Sequence, residues 1–194
     1  MLCFDEENLP IPVPPPTRGI RPPWAGPPSN VLPAPFGALL LQARSEMAVL
    51  AVYGAHACAE GFGVEVLAKW QQSTQPEPVR QGPHFASRGG PNALRFVIRF
   101  ADGREAIADN RPGHPADPGR QLPRISFRSG QGSDSEWEHR MWVWPLPPPG
   151  PLTILCEWPA MAIPETTAVL DASVILDAAA GAATLWTSGG DSPP

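Results

Sequence analysis

Residues 136–158 read EWEHRMWVWPLPPPGPLTILCEW, and this stretch decides the fold class. Its first part is rich in aromatic residues that favour a β-strand. Its last part alternates large apolar residues with Thr153, Leu155 and Glu157, which is the period-two pattern of a strand with one buried face. The intervening Pro145–Pro151 run offers few backbone N–H donors. We therefore expect a stiff surface turn that joins the two strands in a hairpin at the heart of a β-sandwich.

The composition supports short strands joined by rigid loops. The chain has 194 residues, enough for one good core, and it contains 28 prolines and 18 glycines. That proline and glycine content argues against a mostly helical protein. We predict an all-β, two-layer antiparallel β-sandwich, similar to immunoglobulin or jelly-roll domains, with a C-terminal amphipathic helix and a proline-rich N-terminal arm.

The arm is predicted over residues 1–35. Prolines recur in residues 9–16 and again around Trp24, which is typical of polyproline II structure. Such a segment has no core of its own, so we expect its apolar residues to pin it along its own domain or along a neighbouring subunit. Trp24 is the largest of these anchors and a candidate for contact with a partner.

The sandwich domain is predicted over residues 36–170, where alternating runs are separated by two long loops, 71–92 and 109–121. Residues 171–187 then carry apolar side chains at helical spacing after Asp171, which is a good N-cap. We predict a helix here that packs on the sandwich or on a partner, followed by a disordered tail at 188–194.

Residues 94–108, LRFVIRFADGREAIA, carry the clearest local signal. Asp102 and Gly103 between two alternating runs predict a two-residue hairpin turn. This register places Ile107 on the buried face with the phenylalanines. It places three arginines on the solvent face, where they are candidates for binding a protein partner: Arg95, Arg99 and Arg104.

The charge distribution is uneven, although the net charge is only −5. Residues 80–128 hold nine arginines against four acidic residues, whereas residues 129–194 hold eight acidic residues against one arginine. We expect these regions to face each other within one fold, and attraction of an acidic partner is the alternative. The acidic chain carries no recognised nucleic-acid-binding motif, so we predict no nucleic-acid partner.

The chain start is acidic and has neither the basic nor the apolar region of a secretory signal. No apolar run approaches the length of a membrane-spanning helix. Three widely separated cysteines do not form a disulfide framework. We therefore expect a cytoplasmic protein that does not insert into a membrane.

The first candidate site is one face of the strand at 136–144, opposite His139. Carboxylates beside tryptophans can form a sugar-binding groove, since indole rings stack on sugar faces and carboxylates bind hydroxyl groups. The simpler interpretation, which we favour, is that these charges form the solvated outer side of the strand. The candidate ligand-binding residues are Glu136, Glu138, Arg140, Trp142 and Trp144.

The second candidate site is a metal site at His56 and Cys58, which are two residues apart and share one face of a strand. Buried cysteines are common core residues, and no C-x-x-C or H-x-x-x-H pair accompanies them. We therefore expect no metal. The chain has no G-x-S-x-G motif and no glycine-rich phosphate loop in a strand–turn–helix context, so we predict no catalytic residue and no cofactor.

Several stretches resemble an uncharacterised protein family from GC-rich, actinobacterial-type genomes. They are WVWPLPPPGP at 142–151, CEWP at 156–159 and IPET at 163–166, and the resemblance spans most of residues 20–186. It implies a folded bacterial protein and brings no activity, substrate or site residue.

These observations predict a non-enzymatic, intracellular protein-interaction or assembly module that binds a protein partner or a second copy of itself. They do not identify a small-molecule ligand. One alternative is a carbohydrate-directed module or hydrolase using Glu136 and Glu138, and another is a metal-dependent enzyme around His56 and Cys58. The carbohydrate alternative requires Trp142 and its neighbour Trp144 to be exposed in a groove with the carboxylates. The interaction module requires them to be buried against Trp158 and the helix.

Overall fold

The described part of the chain folds into two main antiparallel sheets and one helix. The structure is a computed structural model that describes residues 22–37, 39–71, 92–108 and 123–186. Short 3-10 turns lie at Pro23–Ala25 and Pro159–Met161. The regular elements are β1 (Val31–Leu32), β2 (Ala34–Pro35), β3 (Leu39–Arg44), β4 (Ala48–Cys58), β5 (Gly61–Trp70), β6 (Arg95–Arg99), β7 (Glu105–Ile107), β8 (Arg124–Gly132), β9 (Glu136–Trp144), β10 (Pro151–Trp158), β11 (Ile163–Asp171), α1 (Ser173–Ala180) and β12 (Ala183–Thr184).

The predicted all-β sandwich with a C-terminal helix is confirmed. One sheet has four strands in the order β11-β10-β6-β7. The other has six strands, ordered β2-β4-β5-β9-β8, with β3 also paired to β4. The two sheets meet at both edges. Ser45 Oγ donates a hydrogen bond to the Met161 carbonyl at 2.7 Å at one edge, and Ala108 forms a bridge to Ile125 at the other.

The core lies between the two sheets and is built from the alternating positions of the strands. Trp158 of the four-stranded sheet contacts Trp70 of the six-stranded sheet edge-to-face, with ring centroids 6.2 Å apart. Burial of such large apolar side chains supplies about 1.5–3 kcal/mol each, which makes this layer the main source of stability. Other large, fully buried members are Phe62, Phe96, Leu50, Leu94, Ile98, Met141, Leu152, Ile154 and Met161.

The two strands of residues 136–158 do not form the predicted hairpin. β9 lies between β5 and β8 in the six-stranded sheet, whereas β10 lies between β11 and β6 in the four-stranded sheet. Residues 145–150 therefore carry the chain from one layer to the other. A proline-rich segment suits such a crossing because it has few N–H groups to satisfy and does not need a partner strand.

The turn at Asp102 and Gly103 is one residue longer than predicted. Phe100 N–H donates to the Arg104 carbonyl, so three residues lie in the loop, and Gly103 adopts the left-handed conformation at φ 83°. The added residue reverses the alternation in β7. Ile107 consequently pairs with Val97 on the outer face and is 56 % exposed, contrary to the prediction that it is buried.

The C-terminal helix is shorter than predicted, ending at Ala180 with Gly181 as its C-cap. The predicted helical face is correct, because Ile175 and Ala179 are buried. After Gly181, β12 pairs with β1 of the arm, so backbone pairing with a distant strand replaces the last helical turns. Residues 1–21 of the arm, nearly all of the two predicted loops and the predicted tail lie outside the described residues.

Residues 22–35 are the described part of the predicted arm, and they pair with other strands of the same chain, which is one of the two arrangements expected for the arm. β1 pairs with β12, and β2 pairs with β4 at Ala34 and Pro35. Within the described ranges, no helix has the length and the apolar character needed to cross a membrane.

The corrected register of the 94–108 hairpin can be tested with two identical substitutions. Ile98→Ala should lower the free energy of unfolding by about 2–5 kcal/mol, because the side chain is fully buried. Ile107→Ala should change it by less than about 0.5 kcal/mol, since the side chain lies on the outer face. Urea unfolding followed by tryptophan fluorescence measures both. Equal losses would mean that the two-residue turn is correct.

His139 faces the core from β9 and is 8 % exposed. Its ring packs edge-to-face on Phe127 at 5.3 Å. Burial lowers the pKa of His139 to about 3, opposed by a hydrogen bond to the Ser129 backbone. The ring is therefore neutral in the folded protein at neutral pH, whereas in the unfolded chain it protonates below pH ~6.5.

This difference predicts a loss of stability in acid. The contribution of His139 is complete above pH ~6.5 and should fall by up to about 1.4 kcal/mol per pH unit as the pH decreases towards 3. His139→Phe should retain the ring packing and show a shallower decrease between pH 7 and pH 5. Urea unfolding of both proteins at each pH measures this difference, and parallel pH profiles would contradict the burial of a neutral imidazole.

Candidate functional site

A row of apolar side chains crosses the outer face of the four-stranded sheet. Val97 of β6 pairs with Leu155 of β10 on one side and with Ile107 of β7 on the other, and Leu155 pairs with Thr167 of β11. We call Leu155, Val97 and Ile107 the apolar row, which ends at Thr167 on β11. Val169 lies beside it on β11 and is 65 % exposed. The row and Val169 together present apolar side chains on the outer face of all four strands, with Ile107 and Val169 the most exposed.

Ion pairs flank the apolar row on both sides. Arg95 Nη1 lies 2.6 Å from Glu157 Oε2 on one side, and Arg99 Nε lies 2.6 Å from Glu105 Oε1 on the other. Solvent-exposed pairs of this kind contribute little to folding. Together with the row they form an apolar centre with a polar rim, which is the usual arrangement of a protein–protein interface.

The four predicted partner-binding residues are only partly brought together. Arg95 and Arg99 lie on this surface. Arg104 does not, because the longer turn places it opposite Phe100, with its guanidinium 5.6 Å from the centre of that ring. It is paired with Asp102 at 2.6 Å. Trp24 lies on the other sheet.

The predicted ligand-binding residues lie on the outer face of the six-stranded sheet. Their carboxylates are engaged with neighbouring cations: Glu136 lies 2.8 Å from Lys69, and Glu138 lies 3.4 Å from Arg140. Arg140 also lies 3.0 Å from Glu65 on the adjacent strand. This is the pattern of paired charges on a solvated sheet face, which the sequence favoured as the simpler interpretation.

Trp142 is covered by the chain's own N-terminal segment. We call residues 22–28 the strap. Trp142 Nε1 donates to the Pro23 carbonyl at 3.0 Å, Ser126 Oγ donates to the Trp24 carbonyl at 2.7 Å, and Arg128 donates to the Ala25 carbonyl. Three successive strap carbonyls thus accept hydrogen bonds from side chains of the sheet.

The aromatic rings complete this docking. Trp24 packs edge-to-face on Trp144 at 6.1 Å, and the Arg124 guanidinium lies 5.5 Å from the Trp24 ring. Trp142 is only 1 % exposed. The indoles therefore do not line an open groove with the carboxylates. They are not buried against Trp158 either, because Trp158 lies in the core between the sheets.

His56 and Cys58 do not form a metal site with other described residues. Cys58 is buried, its Sγ lies 3.2 Å from Glu60 Oε2, and burial raises the pKa of its thiol. Cys156 lies in the core, where burial raises the pKa of its thiol to about 12. No three His, Cys, Asp or Glu side chains within the described ranges could hold a metal ion.

Sequence reasoning missed both surfaces. The apolar row had a local signal, since Val97 and Leu155 occupy outward positions of their strands where a solvated face would have polar residues. The strap had none, because the residues that bind it lie far away in the sequence. Only its large anchor, Trp24, was recognised.

The chain matches no family model, no curated protein and no solved structure in the comparisons made with each. The family resemblance of its proline and tryptophan motifs therefore stays a prediction. Its function must be inferred from its own surfaces.

The docking of the strap can be tested at a single hydroxyl group. Ser126→Ala removes one hydrogen bond to the strap, worth about 1 kcal/mol, so solvent exchange of the Trp142 indole N–H should become about fivefold faster. Thr166→Ala is the matched control, since its hydroxyl bonds only the nearby Pro164 carbonyl. Exchange measured by NMR should be unchanged in the control. Unchanged exchange in Ser126→Ala as well would contradict the strap contact.

Proposed function

We propose that this protein is a non-enzymatic, cytoplasmic assembly module that associates with a second copy of itself through the outer face of the four-stranded sheet. The observation that carries this proposal is the apolar row, in which Ile107 is more than half exposed, bordered by ion pairs. A folded domain gains nothing from exposing such a row. Covering it by association removes apolar surface from water, at about 25 cal/mol per Å².

The arrangement of side chains favours a second copy as the occupant. Consider a two-fold axis parallel to the strands and midway between β6 and β10. A copy related by this axis sets Leu155 over Val97 of its partner, since these residues face each other across the two central strands. The same rotation sets Arg95 over Glu157, and the reverse contact occurs at the symmetric position. At these four positions the surface is therefore complementary to itself in both apolarity and charge.

The other two functions have less support. A sugar-binding groove needs accessible indole rings, and the strap covers the indole ring of Trp142. A metal-dependent enzyme needs a ligand set that the described residues around His56 do not supply. Neither alternative explains why apolar side chains stand on the outside of the opposite sheet.

Sedimentation velocity over a concentration range tests self-association. The wild-type chain should convert from monomer to dimer between about 1 μM and about 300 μM. Ile107→Glu places a charge in the apolar row and should weaken the dimer at least about tenfold. Val49→Glu is the matched control, because Val49 is also exposed on a strand but belongs to the other sheet. A wild-type chain that stays monomeric, or equal effects of both variants, would overturn the proposal.

A charge-reversal pair separates the interface from simple loss of folding. Arg95→Glu and Glu157→Arg should each dimerise poorly alone, because like charges then meet across the two-fold axis. Mixed in equal amounts, they should form a heterodimer in which every such contact joins opposite charges. Native mass spectrometry of the mixture distinguishes the three species. A statistical mixture, or no dimer at all, would contradict the two-fold arrangement.

A further inference from the structure

A cavity of about 220 Å³ lies between the strap and the outer face of the six-stranded sheet. Pro27 of the strap and Trp142 of β9 both line it. The space is large enough for several water molecules, and therefore for an inorganic anion or a small organic molecule. It is independent of the surface proposed for self-association, since it belongs to the other sheet.

The polar lining of the cavity is mainly cationic. Its charged members are Arg128, Arg140 and Glu65, so two positive charges face one negative charge. The guanidinium of Arg140 lies 3.0 Å from Glu65, and each guanidinium carries five N–H donors in a planar fork. Arg140 also lies 3.4 Å from Glu138, and its planar fork of donors can bind an oxyanion beside these two carboxylates.

His56 adds a neutral hydrogen-bonding group to the same space. Its ring stacks on Trp142 with centroids 6.2 Å apart and planes inclined by 24°. Burial lowers the pKa of His56, Glu65 raises it, and the two arginines lower it further, so the imidazole is mostly neutral at pH 7. No described residue forms a hydrogen bond with the His56 ring. Its nitrogens are therefore available to a ligand as one donor and one acceptor.

We propose that this cavity binds a small anion carrying a carboxylate or phosphate group. The oxygens of the anion accept hydrogen bonds from Arg128, Arg140 and His56, while the rest of the molecule lies against Pro27. Binding then links the sheet to the strap, because one wall of the cavity belongs to the strap. An occupied cavity holds the strap in place and protects the indole N–H of Trp142.

The test uses two probes that share the oxyanion group but differ in its source. The full-length protein, uniformly labelled with ¹⁵N, is titrated with inorganic phosphate and separately with propionate, at constant ionic strength set by chloride. We expect saturable shifts of the Trp142 indole and His56 ring signals with at least one probe. Saturation by phosphate alone identifies phosphate esters as the ligand class, and saturation by propionate alone identifies carboxylic acids. No saturable shift with either probe overturns the proposal.

Variants locate the binding site. Arg140→Gln should weaken binding of the effective probe at least about tenfold, because a hydrogen bond to a charged group is lost. Arg44→Gln is the matched control: it removes an exposed arginine from β3 of the same sheet, and binding should not change. His56→Phe keeps a ring stacked on Trp142 but removes both nitrogens, so it should also weaken binding. If Arg140→Gln and His56→Phe both bind like the control, the cavity is not the site.

Discussion

The proline-rich segment between β9 and β10 is the constraint on which the rest of the structure depends. It has too few N–H groups to continue a ladder, so the strands it joins do not pair with each other. The chain instead crosses from the six-stranded sheet to the four-stranded sheet. This crossing sends Trp158 into the core against Trp70 and leaves Trp142 on an outer face. This connection therefore determines that β9 belongs to one layer of the sandwich and β10 to the other.

The two outer faces created by this crossing differ in kind. On the six-stranded sheet, side-chain donors from Trp142, Ser126 and Arg128 hold three successive carbonyls of the strap. On the four-stranded sheet, Ile107 and Val169 stay more than half exposed, and Ile107 lies in a row between two ion pairs. On the first face, the strap of the same chain covers Trp142, and in our proposal the space beneath the strap also binds an anion. The second face retains unsatisfied apolar surface, which is the physical basis for proposing assembly there.

Local patterns predicted the strands and their faces well. The alternation in β9 correctly set Glu136 and Glu138 outward and His139 inward, and helical spacing correctly identified the buried side of α1. Local patterns could not predict which strands pair with each other, because a strand's neighbours depend on contacts between residues distant in sequence. One extra residue in the turn at Gly103 was enough to turn Ile107 outward and add it to the apolar row beside Val97 and Leu155. The strap could not be predicted from its own residues, since a proline-rich segment has no periodicity and its position is set by donors elsewhere.

Side-chain footprinting with hydroxyl radicals, performed at low and high protein concentration, tests the central claim that one outer face is closed within the chain and the other by association. The account predicts that Trp142 reacts weakly at both concentrations, whereas Trp186, which is 58 % exposed, reacts strongly at both. Ile107 and Leu155 should react in dilute solution and become protected in concentrated solution. Reaction of Trp142 at the rate of Trp186, or reaction of Ile107 that does not depend on concentration, would contradict this division of the two faces.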